Sequence, residues 1–394
     1  MSEHAKLSAS SAHRWLACPP SVRLCEGIAD TSSIYAAEGT LAHAVAELKL
    51  LKYFHSSITN KKYKADLEAL KQKHTWQGES LWQKEMDGYT DFYVEYITTL
   101  CLSKERAPRV VLEKHVDFSA WVPEGFGTAD CVVLNNDVAH VIDLKYGKGV
   151  VVDAENNPQL MLYALGVYET YKILYGIKTF VLTIVQPRLD SISTWEIGLG
   201  ELLAWGESIK VKAQLAYEGM GAFQAGEHCK FCKVKATCRA RAQENIKLAG
   251  FTKALPDTLS SEELGEFLKQ GKFVADWLKD LEEYALTECL SGHEVFGWKA
   301  VEGVSRRTWT DGEKAFRAII ASGIDEAMLY ERKPLSLAQV EKLLGKKEFA
   351  PFNAFVYKPP GKPTLVEATD KRKAISNVDK ATEIFEMIGD SKNE

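Results

Sequence analysis

Cys229, Cys232 and Cys238 form the pattern C-x2-C-x5-C, and no other feature limits the fold of this chain as much. Thiols at that spacing are drawn together by a metal centre, and a closed centre normally takes a fourth ligand. His228, next to the motif, would complete a zinc site; Cys18 and Cys25, far upstream, are the other candidate donors. Reaching back to either would close a very long loop, and the stabilisation from such closure grows only logarithmically with loop length. The chain has eight cysteines in all. A reducing cytosol does not keep disulfides, so clustered thiols there point to metal or catalysis. Cys131, in the apolar run Cys131-Val132-Val133-Leu134, instead reads as a buried strand residue.

At 394 residues the chain exceeds one ordinary core, and two domains are expected, 1–248 and 249–394. No run approaches the ~20 apolar residues of a membrane helix, and the first eleven positions lack the apolar core of a signal peptide. A cytoplasmic protein with no membrane partner is therefore expected. The net charge of −5 neither requires nor excludes nucleic acid, because a basic groove beside an acidic pocket can average to a negative total.

Periodicity predicts helices over 36–54, with Thr40 as N-cap after Gly39, and over 84–102, separated by an exposed helical insertion at 60–83. Strands follow at 109–118, 127–134 and 138–145, the last two joined by the turn residues Asn135-Asn136-Asp137. A helix over 157–175 and an apolar strand over 179–186 complete an α/β pattern with a mixed central sheet flanked by helices.

The sharpest catalytic signal lies between residues 127 and 163. In a hairpin about Asn135–Asp137, Asp130 and Asp143 come level, and both carboxylates can face one pocket. Two carboxylates with a carbonyl and waters make a hard oxygen site suited to Mg²⁺ or Mn²⁺. Lys145, two residues beyond Asp143, shares its strand face. A lysine there can orient or deprotonate a water and stabilise phosphate charge, as metal-assisted phosphodiester hydrolysis requires. Standing alone, Asp143 and Lys145 would read as a strand-end ion pair, since a bare D-x-K arises by chance in most chains of this size; the neighbouring motifs give it value. Gln159 and Tyr163, four apart, share one helix face. Glu113, on the first strand, offers a further acid. His43 has an ordinary partner in Glu47 at i+4, yet a neutral imidazole is also a reasonable ligand for Mn²⁺.

Taken in order, His43 on a helix, Gly127-Thr128-Ala129-Asp130, Asp143-Leu144-Lys145, and Gln159 with Tyr163 resemble the motifs of the RecB-type PD-(D/E)xK nucleases. That resemblance implies a restriction-endonuclease-like core and a metal held by His43, Asp130 and Asp143. It further implies a catalytic Lys145 and a DNA strand positioned by Gln159 and Tyr163. Members that carry a [4Fe–4S] cluster, including CRISPR spacer-acquisition nucleases and AddB-type helicase-nucleases, place one cysteine before the core and three after it. Here these would be Cys18, in Arg14-Trp15-Leu16-Ala17-Cys18-Pro19, with Cys229, Cys232 and Cys238. Zinc is the alternative metal, and Cys25 the rival fourth ligand.

The function implied is a DNA exonuclease of phage recombination, replication or repair. Its partners would be single- or double-stranded DNA ends and a single-strand annealing recombination protein. A module that binds DNA ends, or a scaffold, keeping the nuclease fold without catalysis is the alternative. Lys230, Lys233, Lys235, Arg239 and Arg241 around the cysteines could neutralise phosphates. Arg306, Arg307 and Trp309 resemble a stacking element. Beyond residue 249, acidic capping boxes at 260–263 and 336–339 predict a mainly helical region of no readable role.

Overall fold

A computed structural model of the chain describes residues 5–28, 33–54, 58–247 and 261–301, with the single positions 314, 317, 320 and 321. Two short helices open it, α1 (Ala12–Ala17) and α2 (Ser21–Leu24). The long helix α3 (Ile34–Phe54) and the helix α4 (Asn60–Lys73) follow. A two-residue hairpin, β1 (Thr75–Trp76) and β2 (Glu79–Ser80), leads to α5 (Lys84–Leu102). The sheet strands are β3 (Arg109–Asp117), β4 (Phe126–Asn135) and β5 (Val138–Leu144). After the crossover helix α6 (Pro158–Tyr171) come β6 (Thr179–Gln186) and β7 (Ser191–Gly198). The helices α7 (Leu199–Glu218), α8 (Arg239–Lys247) and α9 (Ser261–Leu290) complete the described elements.

The five-stranded sheet runs in the order β3-β4-β5-β6-β7. Every neighbouring pair is antiparallel except β5 and β6, which α6 connects in parallel. A parallel pair needs a crossover of this kind, and a helix supplies it. The expected mixed sheet between helices is thus present. On one face α6 and α7 pack Leu160, Leu162, Leu165, Leu202 and Ile209 against Val132, Val141 and Leu182. On the other, Ala46 and Leu50 of α3 and Tyr93 and Ile97 of α5 cover Cys131, Val133, Ile142 and Leu144. Strands buried on both faces read as continuous apolar runs, which is what β4 and β5 show.

Local chemistry explains the boundaries. Asn136 sits at φ 53, as a tight hairpin turn requires, and Asn135 pairs directly with Val138. Asn157 caps α6 by accepting from the amides of Gln159 and Leu160, and Pro158 occupies its first turn. Thr40 is not an N-cap: α3 runs through it, and its Oγ1 donates back to the Ala36 carbonyl. The insertion at 60–83 resolves into α4 plus the β1–β2 hairpin, which turns at Gln77 and Gly78, both with positive φ. β7 and α7 went unanticipated. Gly198, Gly200 and Gly206 thin the helical signal there, although the burial of β7 alternates as a half-exposed strand should.

The chain divides into two units, Met1–Val301 and Glu302–Glu394. The expected boundary at 248/249 falls inside the first of these, because α9 is tied to the cysteine-bearing segment. Asp280 pairs with Lys235 at 2.6 Å and with Arg241, and Trp277 Nε1 donates to the Ala236 carbonyl. Arg306, Arg307, Trp309 and the second capping box lie outside the described residues. Among the described residues no helix is long and apolar enough to cross a membrane.

α6 lies close against β3 because Gly166 has no side chain: a Cβ there would meet Val116 Cβ at 2.7 Å and the Asp117 carbonyl oxygen at 3.2 Å. Gly166→Ala should therefore destabilise the fold by about 1–3 kcal/mol despite alanine's better helix propensity, as overpacking does. Urea unfolding measures this, and an unchanged or raised midpoint would refute the close-approach account.

Candidate functional site

The site is built by the register of three strands. Leu112 pairs with Cys131 and Lys114 with Ala129, so Glu113 stands opposite Asp130. Cys131 pairs with Ile142, so the next step along the hairpin sets Asp130 opposite Asp143. Three carboxylates thus form one row across β3, β4 and β5. The β3–β4 ladder is interrupted only at Glu113, whose φ of 44 is left-handed. A glutamate held in that region stores strain, and its cost is accepted here to aim a carboxylate.

α3 brings His43 to the row, with Nδ1 3.3 Å from Asp130 Oδ2. The same carboxylate oxygen accepts from the Leu144 amide at 2.8 Å, which fixes its direction. One ligand atom each from His43, Glu113 and Asp130 lies within 4.8 Å of the others. Asp143, 2% exposed, has its Oδ2 2.9 Å from Lys145 Nζ as an ion pair, but that oxygen receives no aligned hydrogen bond. Lys145 Nζ donates to Gln159 Oε1 at 2.9 Å. Gln159 Nε2 in turn reaches Asp143 Oδ1 at 3.1 Å and the Tyr163 hydroxyl at 3.2 Å. Gly127 is needed for this, since a Cβ there would sit 2.8 Å from Tyr163 Cε1.

The titration of these groups reflects crowded negative charge. Burial alone would lower the His43 imidazole; the facing carboxylates, Asp130 first, overcome it and raise it to about 9. Burial, then Asp130 and Glu47, raises the Glu113 carboxyl to about 7. Burial also raises Asp143, against the pull of Lys145. Burial would lower Lys145, and Asp143 more than reverses this. Anions brought this close accept protons unless a cation is shared between them. Carboxylate oxygens and one imidazole with an under-bonded buried oxygen beside them fit a hard divalent cation of the Mg²⁺ or Mn²⁺ kind.

The structure therefore gathers His43, Glu113, Asp130, Asp143, Lys145, Gln159 and Tyr163 in one place. It also shows supports the motif pattern did not reveal. Gln186, 2% exposed, accepts from the Val152 amide at 2.7 Å and donates to the Val150 carbonyl at 3.0 Å, pinning the segment that follows Lys145. Arg188 lies over the Tyr146 ring at 4.9 Å and pairs with Glu38 at 3.2 Å. A glutamine ending an apolar strand was the available signal for the first; nothing local marked the second.

The cysteines meet elsewhere in the first unit. Cys18, Cys229, Cys232 and Cys238 line one small cavity of about 20 Å³, with Arg14 and His228 also in its wall. Cys25 lies against it, its Sγ 3.7 Å from Cys232 Sγ. The hydrogen bond to Cys232 holds Cys25 down to about 5, against its own burial, while the same bond and burial push Cys232 up. His228 Nε2 is engaged with the Gln224 carbonyl at 2.8 Å.

Relieving the strain and repulsion at Glu113 gives a test of the site. In chelator, Glu113→Gly should raise stability by about 1 kcal/mol, since left-handed strain of ~1–3 kcal/mol outweighs the ~0.5–1 kcal/mol of glycine's extra unfolded freedom. Mn²⁺ at 100 times its dissociation constant should stabilise the wild type by about 2.7 kcal/mol, and Asp130→Asn should abolish that response in thermal melts. An identical Mn²⁺ shift in wild type and Asp130→Asn would show that this site binds no cation.

A family model described as "Protein of unknown function (DUF2800)" matches residues 4–373, and the chain belongs to that family. The chain is also similar to a solved structure described as "Crystal structure of SSO0001", at 15% identity and a TM-score of 0.24. That match covers 58% of this chain and 96% of the other.

Proposed function

We propose that this DUF2800 chain is a metal-dependent deoxyribonuclease of the RecB-type PD-(D/E)xK kind, an exonuclease working in phage DNA recombination, replication or repair. One observation carries the reading: Glu113, Asp130 and Asp143 come level on three neighbouring strands, with His43 at Asp130 and Lys145 joined to Gln159 beside Asp143. The element order supports it as well. A helix bearing the histidine, three antiparallel strands, a crossover helix bearing Gln159 and Tyr163, and a parallel strand follow one another as the resemblance implies.

His43, Glu113, Asp130 and Asp143 would hold Mg²⁺ or Mn²⁺, which neutralises phosphate charge and makes water more acidic. The other side chains act around it. Lys145 places an ammonium at the rim of the carboxylate row, where it can donate to a phosphate oxygen or orient the attacking water. Gln159 accepts from Lys145 and donates to Asp143, and its Nε2 also reaches the Tyr163 hydroxyl. Substrate would be DNA presented as single- or double-stranded ends, with a single-strand annealing recombination protein as partner. Cys18, Cys229, Cys232 and Cys238, gathered around one cavity, would hold a [4Fe–4S] cluster, as the resemblance implies; zinc is the alternative.

With either metal, purified protein should shorten end-labelled DNA. Asp143→Ala and Lys145→Ala should each lower the rate by about 10²-fold or more while circular dichroism and melting stay native, in line with loss of an electrostatic catalytic group. Wild-type protein that cleaves neither single- nor double-stranded ends with Mg²⁺ or Mn²⁺ would overturn the proposal, as would undiminished cleavage by Asp143→Ala. For the thiol site, anaerobically purified protein should be brown and carry iron and inorganic sulfide in equal amounts. A colourless, zinc-loaded protein would replace the cluster with the alternative metal.

A further inference from the structure

We propose that Cys25 and Cys232 are a modification site, a thiol pair that a hydroperoxide converts to a disulfide. Five thiols converge where a four-thiol centre uses four: Cys18, Cys229, Cys232 and Cys238 line the cavity, and Cys25 is left over against Cys232. Their sulfurs are already 3.7 Å apart, and both side chains are buried. Closing that gap to the ~2.05 Å of a disulfide takes side-chain adjustment rather than refolding.

Both backbones are also held in place. Arg14 Nη1 donates to the Ser21 carbonyl at 2.9 Å and to Ser21 Oγ at 3.0 Å, and it lies 3.6 Å from Cys25 Sγ. Next to Cys232, Lys233 Nζ donates to the Ile28 carbonyl at 2.7 Å, three residues beyond Cys25. The cation at Cys25 marks it as the sulfur that attacks. Its sulfur takes an oxygen from the hydroperoxide, the O–O bond breaks, and the alcohol or water leaves; sulfur is oxidised by two electrons to the sulfenic acid and the peroxide is reduced. Cys232 then attacks the Cys25 sulfur, the S–S bond forms, the S–O bond breaks, and hydroxide leaves as water with the thiol proton.

The product joins the N-terminal segment to the cysteine loop across 207 residues. It also takes Cys232 away from any metal held in the cavity. The oxidised and the metal-loaded states therefore exclude each other, while the join between the two segments persists in both. This inference rests on the thiol geometry and on the four-thiol centre of the proposed function, and not on the nuclease activity.

Full-length protein, purified without air and treated with a chelator, would be exposed to hydrogen peroxide, alkylated, digested and mapped by mass spectrometry. The expected result is a Cys25–Cys232 linked peptide about tenfold or more above any other pair, absent from Cys25→Ser. That variant should keep the wild-type amount of bound metal when purified without chelator. Three results would overturn the proposal: Cys25 remaining alkylatable while the other thiols oxidise, a dominant disulfide among Cys18, Cys229, Cys232 and Cys238, or loss of metal from Cys25→Ser, which would make Cys25 a ligand.

Discussion

The hydrogen-bond register of β3, β4 and β5 decides where every charged group of the site can stand. A slip of one residue in either hairpin would turn a carboxylate to the opposite face of the sheet. The register is held from both ends. Asn136 in the left-handed region closes the β4–β5 turn, and Val132, Val133, Val141 and Ile142 are buried between helices on both faces. Hydrophobic burial therefore sets the alignment, and the acids are carried into proximity that their own repulsion opposes. The displaced ionisation of His43 and Glu113 is the electrostatic trace of that forced approach.

Side chains from three parts of the fold then divide the work of containing this charge. α3 supplies an imidazole to Asp130, the residue after β5 supplies the ammonium of Lys145 to Asp143, and α6 supplies Gln159, which touches both Asp143 and Lys145. α6 can reach only because Gly127 and Gly166 leave room for Tyr163 and for the helix backbone against the sheet. The glycine of the Gly127–Asp130 motif thus has a steric reason independent of any ligand.

Much of this was legible in the sequence, for stated reasons. The strand positions followed from continuous apolar runs, and the level placement of Asp130 and Asp143 followed from the two-residue turn between them. α5 and β6 came out with the residue bounds expected of them. Other parts were not legible. Glu113 was expected as a further acid of the pocket, but the left-handed backbone that aims it is announced by no propensity. Glu47 offered His43 an ordinary partner on its own helix and only the resemblance set it beside Asp130; the tertiary fold brings it there and turns the charge of Glu47 on Glu113. Thr40 read as a cap because Gly39 precedes it, yet the helix continues through both. Composition also cannot show that Asp280, far along α9, pairs back to Lys235 and Arg241.

The thiol site and the acid row belong to one physical system through the packed core, not through shared chemistry. Leu7, Ala9, Ala12, Trp15 and Val22 of the N-terminal segment are buried in the same cluster as Leu160, Leu162 and Leu165 of α6. Trp15 is fully buried, and its indole nitrogen donates to the Ser8 carbonyl at 3.1 Å, so this segment is a fixed part of the wall behind α6. A bond from Cys18 or Cys25 to the cysteine loop, as proposed, would hold that wall in place by limiting how the chain can open. Its effect on Gln159 and Tyr163 is therefore one of stability: loosening the N-terminal segment removes apolar cover from α6, and the hydrogen bonds that hold Lys145 lose the helix on which they depend.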